Sequence, residues 1–282
     1  RPAAAEGLLV KRYTARTALL ETVMIAVGAV FVFPLYVLVN LSVRRPADPA
    51  SPVALTMSPT LANYADAWQA AGLGAALANS AIVTLASLVV IVIVSAMAAY
   101  PLARVTSRWS RWTFLLFALG LLLPAQLALI PLYQSMRDLG LLGSVWSLVL
   151  FYCGLQVPFS VFLYAGFLRA VPAEYEEAAA IDGCTPVRVF FSVVLPLLRP
   201  VTGTVAILNA IFIWNDFLTP LLYLSGSAQQ TVPVAVFQFV GQYVADWHLV
   251  FAGLVISVVP ILLIYFLMQK RIIRGFAGGL KG

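Results

Sequence analysis

Apolar residues in this chain run in long blocks rather than at amphipathic spacings. Six blocks occupy about 17–43, 76–102, 112–134, 145–168, 200–224 and 249–269. Each is long enough for the roughly 20 residues that carry a helix across a hydrocarbon core of about 30 Å. A backbone in lipid must satisfy its own N–H and C=O groups, which leaves helices or closed barrels. The two-residue alternation of a barrel strand is absent from these blocks. The pattern predicts an all-α integral membrane protein of about six transmembrane helices, with a terminal segment over 1–16, a membrane domain over 17–270 and a tail over 271–282.

Between the first two blocks, Leu61, Tyr64, Ala65 and Trp68 fall at i, i+3, i+4 and i+7, the stripe of a helix that lies in the membrane interface or packs on a partner. Trp109, Trp112, Trp146 and Trp247 stand near block ends, where aromatic belts form. Pro34, Pro124, Pro131, Pro158, Pro220 and Pro260 interrupt five of the blocks, freeing carbonyls and permitting bends at membrane depth.

Composition agrees: 62% of the 282 residues are hydrophobic and 10% charged, against roughly half and a quarter in soluble domains. The formal charge of +6 raises the question of a nucleic-acid partner. Its basic residues lie between apolar blocks, however, which points to topology and anionic lipid instead. With the N-terminus inside, 14 of the 17 lysines and arginines face the cytoplasm, Arg104, Arg108, Arg111, Arg169, Arg188 and Arg199 among them, and Arg44, Arg45 and Arg137 fall outside. The positive-inside rule then places both termini in the cytoplasm. The opening stretch lacks a signal peptide's apolar core and cleavage site, so targeting is expected to rest on the first span. Cys153 falls at mid-membrane and Cys184 in a cytoplasmic loop, and His248 is the only histidine, so neither a disulfide nor a metal site is expected.

The cytoplasmic segment 169–199 between the fourth and fifth blocks is not a passive connector. Pro172 fits the first turn of a helix through about Ala180, with Glu174, Glu176 and Glu177 near its positive end and Gly183 to end it. Thr185 can cap a second helix that starts at Pro186 and carries Val187, Phe190, Phe191 and Val194 on an apolar face. Helix, sharp turn and helix form a projection suited to a groove on a soluble partner.

Glu177-Ala178-Ala179, Asp182-Gly183, and then Pro196 and Pro200 resemble the EAA loop of binding-protein-dependent ABC importer permeases. Trp214-Asn215-Asp216-Phe217, Thr231-Val232-Pro233-Val234, Arg274-Gly275 and Gly279 to Gly282 extend the likeness over nearly the whole chain, which resembles the smaller permease of maltose-type sugar transporters. Cys184 stands where alanine is usual. The resemblance implies an inner-membrane permease of a prokaryote that works with a second homologous permease, two nucleotide-binding ATPase subunits and an extracytoplasmic substrate-binding protein. It also implies a coupling helix over this loop, with Glu177 pairing in the ATPase groove, Ala178 and Ala179 allowing close approach, Asp182 bracing the turn and Gly183 making it. ATP and magnesium would sit on the partner ATPase. A phosphate loop needs Gly-Lys followed by Ser or Thr, and Lys11, Lys270 and Lys281 lack that setting, so no cofactor is expected on this chain.

Polar groups inside spans normally face a partner helix or an aqueous path. Asn79, Gln126, Gln156, Asn209, Asn215 and Asp216 qualify for a substrate path, and Tyr133, Tyr152 and Trp214 could stack on a sugar ring or pack against helices. Asp216 could instead cap a broken helix, pair across a permease dimer or sit at the outer interface. In the outer loop, the resemblance implies that Gln229, Gln230, Thr231 and Pro233 reach toward a docked binding protein. The same architecture could import a non-sugar solute such as a glycerophosphodiester. An ion-coupled secondary transporter would show repeat halves and no docking loop, and a membrane enzyme would need converging catalytic groups.

Overall fold

The computed structural model describes residues 14–46, 48–122, 124–240 and 246–279, the side chains of Ala125 and of 267–279 excepted. Every element among the described residues is helical. Helix α1 spans Ala15–Ser42, opened by a capping box in which Thr14 and Thr17 exchange backbone and side-chain hydrogen bonds. It lies on the outside of the bundle against the last helix, its apolar side chains largely exposed. After it come α2 (Ala62–Ala70), α3 (Leu73–Arg104), α4 (Arg108–Leu122), α5 (Ala125–Asp138) and α6 (Val145–Ala170).

The central pair is α3 and α6, which pack along much of their lengths. The buried face of α3 carries Ala76, Ser80, Thr84, Ser87, Ile91, Ser95 and Ala99 at three- and four-residue spacings, all but Ile91 small. Lipid provides no hydrophobic drive between helices, so small side chains that let backbones approach supply the packing.

The third apolar block, expected as one span over 112–134, is two helices bent by 101°. Pro124 adopts an extended backbone (ψ 119°) at the start of α5 and cannot donate a hydrogen bond across the junction. At 15 residues α4 measures about 22 Å and falls short of a crossing on its own. The fifth block also divides, into α10 (Arg199–Asn215) and α11 (Leu218–Tyr223), at Asp216 rather than at Pro220. Among the described residues four helices are long and apolar enough to cross, and up to six spans result if two bent pairs each count as one, Arg108–Leu122 with Gln126–Asp138 and Pro186–Leu197 with Arg199–Asn215, the second bent by 72°. Pro34, Pro131, Pro158 and Pro260 lie inside continuous helices, as does Pro101. Of the expected proline interruptions, only Pro124 marks a break.

The segment between α1 and α2 is held by two polar side chains. The buried Arg44 guanidinium donates to the carbonyls of Ala50 (2.7 Å), Ser51 (2.8 Å) and Ala54. Asn63 on α2 donates to the carbonyls of Ser42 and Arg44, both at 2.8 Å, closing the end of α1. Helix α2 buries Asn63 and Ala67. The expected stripe is therefore its outer side: Leu61 and Trp68 are exposed and Tyr64 is half-buried.

Candidate functional site

Two regions carry the candidate chemistry, the segment between α6 and α10 and a cavity among α5, α6, α10 and α11. The segment begins with α7 (Glu174–Ile181). Backbone geometry sets its end: Gly183 takes φ +82°, the Gly183 amide donates to the Ala180 carbonyl and the Cys184 amide to the Ala179 carbonyl, each at 3.0 Å. This is a Schellman stop, and its left-handed position favours glycine. Thr185 then accepts from the Arg188 amide (3.4 Å) and α8 (Pro186–Val189) starts on Pro186.

Residues Phe190–Val194 continue α8 as a π-helical turn into α9 (Leu195–Leu197). Pro196 has no N–H for the Ser192 carbonyl, and its ring would press on that carbonyl in an α-helix, so the turn widens. The wider turn changes which side chains point inward. Val189, Phe190, Val194 and Leu198 enter a core with Ala99, Tyr164 and Leu168. Val187 and Phe191, expected on the same apolar face, are 68% and 53% exposed.

Arg104, the last residue of α3, donates through Nε (2.9 Å) and Nη2 (2.7 Å) to Oε1 of Glu176. The pair is largely buried and ties the first turn of α7 to α3. Of the expected coupling residues, Glu177, Ala178, Asp182 and Gly183 are exposed, whereas Ala179 packs inward on the core. Ile181 (87% exposed) and Tyr175 (57% exposed) join the outward face, which the sequence did not suggest.

The cavity holds about 490 Å³, with Gln126 from α5, Phe151 from α6, Phe212 and Asn215 from α10, and Asp216 and Thr219 at the helix break among its lining. Oδ2 of Asp216 accepts from the Tyr152 hydroxyl (2.9 Å), and Oδ1 accepts from the Thr219 amide (3.4 Å). The carboxylate thus caps α11 where the chain leaves α10, one of the three roles open to it from sequence.

The other candidates for the path do not share this cavity. Trp214 is buried and donates to the Ser257 carbonyl (3.0 Å), holding α10 to the last helix, α13 (Trp247–Gly279). Asn209, fully buried, donates to Ser160 Oγ (3.1 Å) and to its own helix at Val205 (2.7 Å). Tyr133 meets the Tyr223 ring at 6.0 Å. Gln156 is half-buried on α6 away from the lining. Asn79 donates to the Gln230 carbonyl (3.0 Å).

That last bond belongs to the loop after α11, which is drawn into the bundle. The Gln229 side-chain oxygen accepts from the Val145 amide (2.9 Å) at the start of α6, and the Val232 amide donates to Ser80 Oγ (2.9 Å). Thr231 is buried. Pro233 lies in the first turn of α12 (Val232–Phe237), whose Val232, Ala235 and Val236 pack with Ala67, Leu73 and Ala252. Part of the loop, 241–245, lies outside the described residues, as do 1–13 and 280–282 at the ends of the chain.

Residues 70–278 match the family described as "Binding-protein-dependent transport system inner membrane component". The chain belongs to that family. This permease is 34% identical over 262 residues to a probable starch degradation products transport system permease protein of Thermoanaerobacterium thermosulfurigenes, covering 93% of this chain and 95% of the relative. It is 32% identical over 247 residues (87% and 90%) to the melibiose/raffinose/stachyose import permease protein of Bacillus subtilis. It is 34% identical over 263 residues (91% and 94%) to a multiple sugar-binding transport system permease protein of Streptococcus mutans. Its fold is that of a chain in the crystal structure of a bacterial ABC transporter involved in the import of the acidic polysaccharide alginate, with a TM-score of 0.78 at 22% identity, covering 92% of this permease and 98% of that chain.

Proposed function

We propose that this permease imports a sugar or oligosaccharide delivered by an extracytoplasmic binding protein, as one of two homologous permeases driven by a pair of ATPase subunits. The observation that carries the substrate class is its likeness, over about nine-tenths of the chain, to permeases named for starch products, raffinose-type sugars and multiple sugars. The cavity supports it. Phe151 and Phe212 offer apolar ring faces, and Gln126, Asn215 and Asp216 offer hydrogen-bonding groups. Asp216 is the one charged residue among those lining it. A glycerophosphodiester would meet a carboxylate and no cation there, which favours a neutral polyol.

Coupling runs through α7 and the turn at Gly183. Glu177, Ala178 and Asp182 form an exposed face with Ile181 that suits a groove on an ATPase subunit. Arg104 fastens the same segment to α3, and Phe190 and Val194 are embedded in the inner core. A pull on α7 then moves α3, α6 and α10 together, because a packed core transmits displacement rather than absorbing it. The arginine distribution supports an orientation with this segment and both termini in the cytoplasm.

Uptake by the reconstituted complex with its binding protein, measured across neutral oligosaccharides and a glycerophosphodiester, tests the substrate reading. ATP-dependent accumulation of a neutral sugar is expected. Accumulation of the phosphodiester alone would overturn it.

A further inference from the structure

We propose that a pocket at the inner ends of α3, α4 and α6 binds the phosphate headgroup of an anionic membrane lipid. It encloses about 200 Å³, and Thr106, Ser107, Ser110, Arg111, Phe114 and Arg169 help to form its wall. Two guanidiniums therefore share one small space with three hydroxyls. Arg169 sits over the Phe114 ring, 4.2 Å from guanidinium carbon to ring centroid. Stacking of this kind orients the guanidinium and leaves its N–H edge for an oxygen ligand.

The charge on this wall is uncompensated. Arg104 next to it is neutralised by Glu176, but among the described residues neither Arg111 nor Arg169 has a carboxylate within ion-pairing reach. Two arginines and neighbouring hydroxyls match an anion with several acceptor oxygens, which is what a phosphate group presents.

A lipid phosphate and a free phosphate share that chemistry, and the surroundings favour the lipid. Trp109 and Trp112 beside the pocket are 82% and 69% exposed, as amphipathic rings at headgroup depth are. Leu116 and Leu119 are exposed along α4, forming an apolar track away from the pocket that an acyl chain can follow and a free anion cannot use. Arg169 lies at the end of α6, just before the coupling segment, so an occupied pocket would brace the point from which α7 is displaced. The choice of inner leaflet rests on the proposed orientation of the chain. Binding itself does not, because a nanodisc exposes both faces.

The test uses the assembled transporter in nanodiscs that mix phosphatidylglycerol with phosphatidylcholine, with retained lipids counted by native mass spectrometry. Phosphatidylglycerol is expected to be enriched over its bulk fraction, and Arg111→Gln and Arg169→Gln are each expected to weaken that enrichment roughly fivefold. Arg108→Gln removes the same charge outside the lining and should leave it intact. Equal loss with Arg108→Gln would reduce the effect to general surface charge and overturn the site. Unchanged enrichment in an Arg111→Gln, Arg169→Gln double variant would overturn it too. Displacement of the lipid by inorganic phosphate at moderate concentration would replace it with a free-anion site. Enrichment seen only after the ATPase subunits are stripped away would assign the arginines to that interface instead.

Discussion

Gly183 and Asp216 each do something that another residue type does less well. Gly183 holds φ +82° at the stop of α7, and an L side chain there costs about 1 kcal/mol or more. Gly183→Ala is expected to lower the melting temperature of the assembled complex slightly and the stimulation of its ATPase strongly, since it distorts the coupling turn more than the bundle. Asp216 accepts from both Tyr152 and Thr219. Asp216→Ala loses the cap on α11, at about 1 kcal/mol. Asp216→Asn keeps an acceptor for one of the two bonds, so it should fold better than the alanine variant while showing a raised KM for sugar uptake, because the carboxylate lines the cavity. Glycine after Asp182 was legible because left-handed backbone selects it. The Arg104–Glu176 pair was not, because 72 residues separate the partners and only the lengths of α3 and α6 bring them together.

At the scale of elements, the apolar blocks located the long helices, while their continuity was harder to read. Most prolines sit inside helices, and the break in the fifth block carries neither proline nor glycine, only a carboxylate that can cap α11. The helix after Thr185 shows a different failure of periodicity: the π turn forced by Pro196 parts Phe191 from Phe190 and Val194. Polar side chains such as Asn209 and Trp214 marked internal contacts rather than the cavity, because an unpaired polar group in lipid is satisfied as well by a neighbouring helix as by a substrate. The tie between α3 and α7 yields a double-mutant cycle. Arg104→Gln leaves Glu176 partly buried without its counter-charge and should impair both assembly and coupling. Adding Glu176→Gln should recover part of both, with an interaction energy of about 1–3 kcal/mol. Strict additivity of the two would mean that the pair does not anchor α7.

Among the described residues, most of the apolar perimeter is exposed, α1 above all, as befits a chain surrounded by lipid. The proposed orientation rests on the arginines, whose distribution between loops is set by membrane insertion and needs no tertiary information. In a cysteine-free background and without the ATPase subunits that would cover α7, Met57→Cys is expected to react with an impermeant maleimide in cells whose outer face is accessible, and Ile181→Cys only after the inner membrane is opened. Both side chains are well exposed, at 89% and 87%, so the reverse pattern would invert the topology. The most direct test of coupling through α7 is ATP hydrolysis by the reconstituted complex with its loaded binding protein, comparing the intact permease with a Glu177→Ala, Gly183→Pro variant. Stimulation by sugar in the first and its loss in an equally well-assembled second is the predicted result. Full stimulation and full uptake in the variant would contradict coupling through this segment.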